Sequence, residues 1–366
     1  MSIYIHIPFC NTICTYCDFC KIYYTKKYID RYLESLKKEI EERYKGEKIK
    51  TIFIGGGTPT SLDNEELTKL LEITKLFNIE EHIEFTIESN IESITEEKLK
   101  IMKEYGVNRL SIGVQSFNND IIKILGRAHT KEEIYNKIEL SKKYFNNINI
   151  DLIYAVNENI DIVKEDLNNF LKLDINHISA YSLIIEDKTI LKINNYQNIN
   201  EDVDYQMYKL IEKTLEENNY IHYEISNYAK ESYESKHNLV YWNNEEYYGF
   251  GLSSTSYINS VRRTNTKNLT KYIEGKYIEA ENFEDEITRI ENEIMLGLRK
   301  FSGINLNKFK EKYKIDLEEK YNIESLLKEK YLIKEGNNIK INKEYMYISN
   351  EIIIKILSWH IIPNIL

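Results

Sequence analysis

The sequence predicts an α/β protein in which parallel strands alternate with helices, followed by a small separate α+β domain. Short β-branched or aromatic runs alternate six times with amphipathic helical stretches, polar residues with chemical potential gather at the ends of those runs, and the alternation stops after about residue 225. A chain of 366 residues is long enough for one barrel-sized domain and an appendage.

The first run, IYIHI at 3–7, precedes a helix near 27–45 in which Ile29, Leu33, Leu36 and Ile40 recur at three- and four-residue intervals opposite Lys and Glu. That stripe is suited to packing on a sheet. TIFI at 51–54 leads to a helix near 64–77, IEFTIE at 83–88 to one near 95–105, and RLSIGV at 109–114 to helices ending near 145. INIDLIY at 148–154 and HISAYSL at 177–183 precede helices near 159–172 and 202–218. Consecutive strand-helix units imply parallel strands with right-handed crossovers. An open doubly wound sheet and a barrel both satisfy that rule, and periodicity leaves the two open.

In parallel α/β folds, sites collect at the carboxyl ends of strands. The cysteine-containing loop follows the first run, GGGTPT (55–60) the second, Glu88 ends the third, Gln115 ends the fourth and Asp151 lies in the fifth, so all can face one cavity. From about 286, a helical segment containing ENEIMLGLRKF, a further helix and a strand pair, YLIKEGNNIKIN, suggest a winged-helix-like unit.

Charge bears on partners. With 59 acidic and 49 basic residues the formal charge is −10, which lacks the Lys/Arg footprint of a nucleic-acid binder. No nucleic-acid partner is expected, and the last unit reads as a packing appendage. MSIYIHIPF has no basic n-region, long apolar stretch or small-residue cleavage site, and no later run reaches a membrane span. The expectation is a soluble cytoplasmic protein. Tyr (30 residues) and the scarcity of Pro (3) extend along the whole chain and read as compositional background.

All four cysteines lie between positions 10 and 20, too close together to staple the chain. Cys10-x3-Cys14-x2-Cys17 places three thiols on one short loop, suited to an iron–sulfur cluster with one iron lacking a protein ligand. Zinc is the competing reading, although structural zinc prefers four closed ligands.

YIHIPFCNTICTYCDF, GGGTPT, ESN (88–90), RLSIGVQSFN and HNLVYW together resemble the HemW branch of the radical S-adenosylmethionine (SAM) proteins related to oxygen-independent coproporphyrinogen oxidase (HemN). The likeness runs over essentially the whole chain. It implies a partial (β/α)6 barrel with a small C-terminal winged-helix-like α+β domain, divided as 1–225 barrel, 226–285 extension carrying HNxxYW, and 286–366 HemN-type C-terminal domain. It further implies a [4Fe–4S] cluster on Cys10, Cys14 and Cys17 whose open iron takes SAM. Gly56, Gly57 and Thr58 match the loop meeting the SAM methionyl amine, Glu88 the acidic residue holding SAM, and Tyr4 the tyrosine against it; Tyr16 belongs to the same set of cofactor contacts. Core packing is the alternative for Tyr4. Gln115, Arg127 and Asp151 match contacts to a second SAM, with a salt-linked scaffold at the barrel mouth as the alternative. His6, on the same strand face as Tyr4, reads as a supporting group beside the cluster loop.

The resemblance also bears on function. Oxidases of the group carry a cysteine one residue after the third ligand's neighbour, whereas here Phe19 holds that position and Cys20 follows. The CDF form resembles HemW, which implies haem binding and delivery to an unknown haem-accepting protein. His237, in His237-Asn238-Leu239-Val240-Tyr241-Trp242, matches the HNxxYW histidine and is the candidate haem ligand, a structural role being the alternative. If SAM is cleaved, a flavodoxin or ferredoxin is the implied electron donor; membrane contact is expected only through an acceptor. The second function class is an oxygen-independent coproporphyrinogen dehydrogenase or another radical SAM enzyme acting on a tetrapyrrole. Two segments depart from the family pattern: Ala155-Val156-Asn157 stands where Gly-x-Pro is usual, and GLSSTS at 251–256 where HemW proteins often have GPGAHS.

Overall fold

Six parallel strands frame the site in the computed structural model, which describes residues 1–358. They are β1 (Ser2–Ile7), β2 (Ile49–Gly56), β3 (Ile79–Asn90), β4 (Arg109–Gln115), β5 (Asn147–Tyr154) and β6 (His177–Ser182). Between them run α1 (Lys26–Arg43), α2 (Asn64–Ile73), α3 (Glu96–Glu104), α4 (Asn119–Ile124), α5 (Lys131–Lys142) and α6 (Ile160–Leu173), with α7 (Glu201–Glu217) after β6. Each strand pairs in parallel with the next in sequence. The order β1-β2-β3-β4-β5-β6 contains no reversal. A doubly wound sheet needs one, so the arrangement is the partial-barrel alternative.

Local chemistry sets the helix starts. Asp63 and Glu66 form a reciprocal capping box at α2, and Thr130 and Glu133 do so at α5. The α1 stripe of Ile29, Leu33, Leu36 and Ile40 is buried with Ile3, Ile5 and Ile7 of β1 in one core. Tyr4 and His6 alternate with those isoleucines, which frees their side chains for the other face of the strand.

Two differences from the sequence reading stand out. β3 begins at Ile79 rather than near 83, because a register irregularity between Ile49 and Thr51 lets Ile79 pair with Ile49. The alternation does stop near 225, but the sheet continues beyond β1: β7 (Tyr247–Gly251) pairs in parallel with β1, and β8 (Thr255–Ile258), β9 (Val261–Asn265) and β10 (Ile278–Phe283) extend that edge.

The chain divides into two compact units, one of residues 1–221, 228–237 and 246–282, the other of 222–227, 238–245 and 283 onward. Residues 226–285, read from sequence as an extension, therefore contribute to both, as does helix α8 (Lys236–Trp242). In the second unit α9 (Glu286–Gly297), β11 (Ile304–Asn305), α10 (Leu306–Tyr313) and α11 (Ile323–Lys328) precede an antiparallel hairpin, β12 (Leu332–Glu335) and β13 (Asn338–Ile341), with β11 on the outer edge of β13. Ile294, Leu298, Phe309, Leu326 and Ile339 form its own core. Residues 359–366 of the expected C-terminal domain lie outside the described residues. No helix among the described residues is long and apolar enough to cross a membrane.

Candidate functional site

The cysteine loop leaves the carboxyl end of β1 and is tied down on several sides. Phe9–Cys10 pairs with Ile22–Tyr23, so the loop closes on itself through Ile22 N–H to Pro8 O (2.7 Å) and Tyr24 N–H to Cys10 O (2.8 Å). Thr15 donates through its backbone N–H to Leu125 O (3.1 Å) and through Oγ1 to Ile124 O (2.8 Å). Its carbonyl accepts from Leu191 N–H (3.0 Å), in the short helix Ile190–Ile193 after β6. Cys10 is buried and Cys14 and Cys17 are half-buried. Burial pushes the Cys10 thiol up to about 11, against the opposing contact of Thr58 Oγ1 at 3.8 Å. Burial likewise raises Cys17, with Lys21 opposing.

The glycines of the next loop are required by close approach. Gly57 N–H donates to Ile7 O (2.8 Å), and a Cβ on Gly57 would lie 2.7 Å from the Pro8 carbonyl carbon and 2.9 Å from Cys10 Sγ. Gly56 has φ +114°, and a Cβ there would meet the His6 ring at 2.6 Å. Thr58 N–H donates to Phe9 O (2.9 Å), while Thr58 Oγ1 accepts from Asn90 Nδ2 (2.8 Å), which explains the asparagine of ESN. Glu88 Oε2 accepts from Gly56 N–H (3.0 Å). Burial, and then repulsion from Asp151, push Glu88 up to about 7.

Tyr4 and His6 meet as their shared strand face requires. His6 Nε2 lies 2.8 Å from the Cys20 carbonyl, which only accepts, so Nε2 carries the proton and Nδ1 accepts from Tyr4 OH at 2.9 Å. Burial lowers His6 to about 4, keeping the ring neutral in this role. Tyr4 is thereby linked to the returning end of the cysteine loop. Phe19 is 65% exposed, whereas burial raises the Cys20 thiol, with the nearby Ser253 hydroxyl opposing.

Gln115, Arg127 and Asp151 assemble across β4 and β5. Arg127 donates to Tyr16 OH (2.8 Å), and its guanidinium faces the Tyr16 ring at 6.0 Å. Its Nε is buried with no hydrogen-bond partner. Gln115 is buried at φ +69° beside an irregular register step in the β4–β5 pairing. A Cβ on Gly113 would meet Gln115 Nε2 at 2.7 Å and Arg127 at 2.9 Å, so that glycine of RLSIGVQ makes room for both. Burial raises Asp151, with its Asn149 and Ser179 hydrogen bonds and the charges of Arg109 and Arg127 opposing. Asn149 Nδ2 donates to Asp151 Oδ1 (2.8 Å) and Ser111 Oγ (2.8 Å). Asn149 and Ser179 carry no motif signal, and only strand register brings them together.

His237 lies elsewhere in the first unit. It is 1% exposed, its Nδ1 is 2.8 Å from Thr51 Oγ1, and its ring stacks on Phe53 at 5.2 Å. Glu84 holds the start of α8 by accepting from Lys236 N–H (3.0 Å) and His237 N–H (2.9 Å). Burial, with the nearby charge of Arg109, lowers His237 to about 3.

The donor set can be tested against the cluster. Three thiols lie on one anchored loop, a Cβ on Gly57 would crowd Cys10 Sγ, and the Nε of Arg127 is buried without a hydrogen-bond partner. This suits three-thiolate ligation with an anionic ligand beside it.

Residues 4–170 match the Radical SAM superfamily and residues 285–344 the HemN C-terminal domain. The chain is 39% identical to the protein named Heme chaperone HemW from Lactococcus lactis subsp. lactis (strain IL1403), over 97% of each chain. The chain belongs to the HemW family. A HemW relative from Bacillus subtilis (strain 168) is 38% identical over 85% of this chain and 86% of that protein. Coproporphyrinogen III oxidase (HemN) from Escherichia coli, described as a radical SAM enzyme, superposes with TM-score 0.86 over 98% of this chain and 90% of that one; at 20% identity the likeness concerns the fold. Radical SAM membership implies a [4Fe–4S] cluster and SAM. When bound, they supply one-electron chemistry; in this HemW-family chain the three loop thiols would hold the cluster, and the Gly56–Gly57 backbone and the buried polar groups beside them would meet SAM.

Both departures from the HemW pattern retain the backbone that glycine favours. Ala155 has φ +59° and Ser253 φ +57°. Ser253 adds the hydroxyl that meets Cys20.

Proposed function

We propose that this chain is a haem chaperone that binds haem and passes it to an acceptor protein, with a SAM-ligated [4Fe–4S] cluster on Cys10, Cys14 and Cys17. The observation that carries this reading is the 39% identity over 97% of a protein named Heme chaperone HemW. Phe19 after the third cysteine supports the same side. Tyr4, Tyr16, Gly56, Gly57, Thr58 and Glu88 are the proposed SAM contacts. Gln115, Arg127 and Asp151 complete the wall, where the unpartnered Arg127 Nε supports contact with a carboxylate of SAM. A cytoplasmic location, and a flavodoxin or ferredoxin donor should SAM be cleaved, belong to this reading.

His237 is the candidate axial ligand. Its burial, its bond to Thr51 and its stacking on Phe53 mean that ligation requires α8 to release the ring.

The test is anaerobic reconstitution of the cluster, then haem titration by Soret absorbance beside a coproporphyrinogen oxidation assay. Saturable haem binding without protoporphyrinogen formation is expected. Substantial turnover would overturn the chaperone reading in favour of a coproporphyrinogen dehydrogenase. His237→Ala distinguishes the ligand: unchanged haem affinity and an unchanged spectrum remove His237 from that role.

A further inference from the structure

The second unit carries a cavity of 440 Å³ whose lining includes neither His237 nor any of the proposed SAM contacts. Its charged wall consists of Lys300, Lys308, Lys312, Glu245 and Glu293, with Asn243 from the end of α8. Glu293 is already engaged, since its Oε2 accepts from Lys312 Nζ (2.6 Å) and Tyr313 OH (3.0 Å). The amides deeper in the wall are occupied as well. Asn305 Nδ2 donates to Asn338 Oδ1 (2.7 Å), Asn338 Nδ2 donates to Ser302 O (3.1 Å), and Asn305 Oδ1 caps α10 through Lys308 N–H (3.0 Å).

Glu245 Oε1 accepts from Asn243 Nδ2 (3.0 Å), which leaves two ammonium groups to consider. Lys300 donates to the neutral Asn243 Oδ1, and neither Lys300 nor Lys308 enters a salt bridge among those found in the described residues. Burial pushes Lys300 down from the usual lysine range; Glu293 and Glu245 oppose the shift, and Lys308 and Lys312 add to it. A partly buried cation without an ion-pair partner is relieved by an anion. Lysines act as point charges without the planar fork of arginine, so the wall selects for negative charge more than for one geometry.

We propose that this cavity is an oxyanion site, taking a carboxylate or phosphate group between Lys300 and Lys308. The same chemistry has two sources: a free small anion, or the propionate edge of haem, the second resting on the haem reading above.

The test uses the full chain and isothermal titration calorimetry with inorganic phosphate and with malonate. Both should bind saturably to the wild type. The double variant Lys300→Gln/Lys308→Gln, checked for folding by circular dichroism, should weaken binding about tenfold or more, the loss of charge-assisted bonds. Lys328→Gln, an exposed lysine paired with Glu324, should leave it unchanged. No saturable binding of either anion, or equal binding by the double variant, overturns the site. Titration with haem and with haem dimethyl ester then separates the sources. Weaker haem binding by the double variant with unchanged ester binding assigns the site to propionate; loss of phosphate binding with unchanged haem affinity assigns it to a free anion. If haem fails to bind at all, the chaperone reading falls and the anion titrations still decide this one.

Discussion

At the scale of single residues, the site depends on groups held where water would ordinarily serve them. Glu88 is the clearest. Its carboxyl is held near 7 against an ordinary value of 4.5, so the folded state binds the extra proton between those values. Stability from this group is therefore lost as pH rises from about 4.5 to about 7. Glu88→Gln removes that dependence, so the difference in urea midpoint between variant and wild type, measured on cluster-free protein, should grow in the variant's favour from pH 5 to pH 8. A constant difference would mean that Asp151 and burial do not act on Glu88 as argued. The left-handed residues give a second expectation. Ala155 and Ser253 hold positive φ without being glycine, at a cost of roughly 1 kcal/mol each. Ala155→Gly should raise stability by about 0.5–1 kcal/mol in urea denaturation. Ser253→Gly should gain less, because it also removes the hydroxyl near the Cys20 thiol.

At the scale of elements, polar networks hold segments whose sequences carry weak signals. The added edge β7–β9 is short, and no hydrophobic period marks it. Buried Glu39 of α1 anchors it, accepting from Gly251 N–H (2.9 Å), Asn265 Nδ2 (2.6 Å) and Tyr272 OH (2.6 Å), and from Arg43. Arg43 in turn reaches Ser256 Oγ (2.9 Å) and Asn265 Oδ1 (3.1 Å). Glu39→Ala leaves these donors and the arginine uncompensated, and should cost about 3–5 kcal/mol by equilibrium denaturation. Within the α1 stripe the sequence shows Ile29, Leu33, Leu36 and Ile40 plainly; nothing in that period marks Glu39 as buried. The short helix Ile190–Ile193 is a similar case, since it matters through one bond to Thr15.

At the scale of the whole molecule, the buried apolar clusters divide between two compact units, and the proposed cluster site belongs to the first. Ligand binding stabilises the unit that holds the ligand. Anaerobic loading with cluster and SAM should slow amide hydrogen exchange in residues 9–24, 55–60 and 109–127, and leave the α9–α10 helices unchanged. Equal protection of α9 and α10 would show that the second unit responds to the site.

The amino-acid sequence alone determined the six strand-helix units, the helical stripes and the cysteine loop, because periodicity and thiol spacing are local properties of the chain. Its ordered motifs also determined the family. Only the tertiary structure decided that the strands follow one another without reversal, that four more strands extend β1, and that Asn149, Ser179 and Asn90 support the site residues. It also decided that His237 is packed on Phe53 and bonded to Thr51. Those facts depend on register and on contacts between residues as far apart as 51 and 237, and a one-dimensional pattern does not encode which distant strand a side chain will meet.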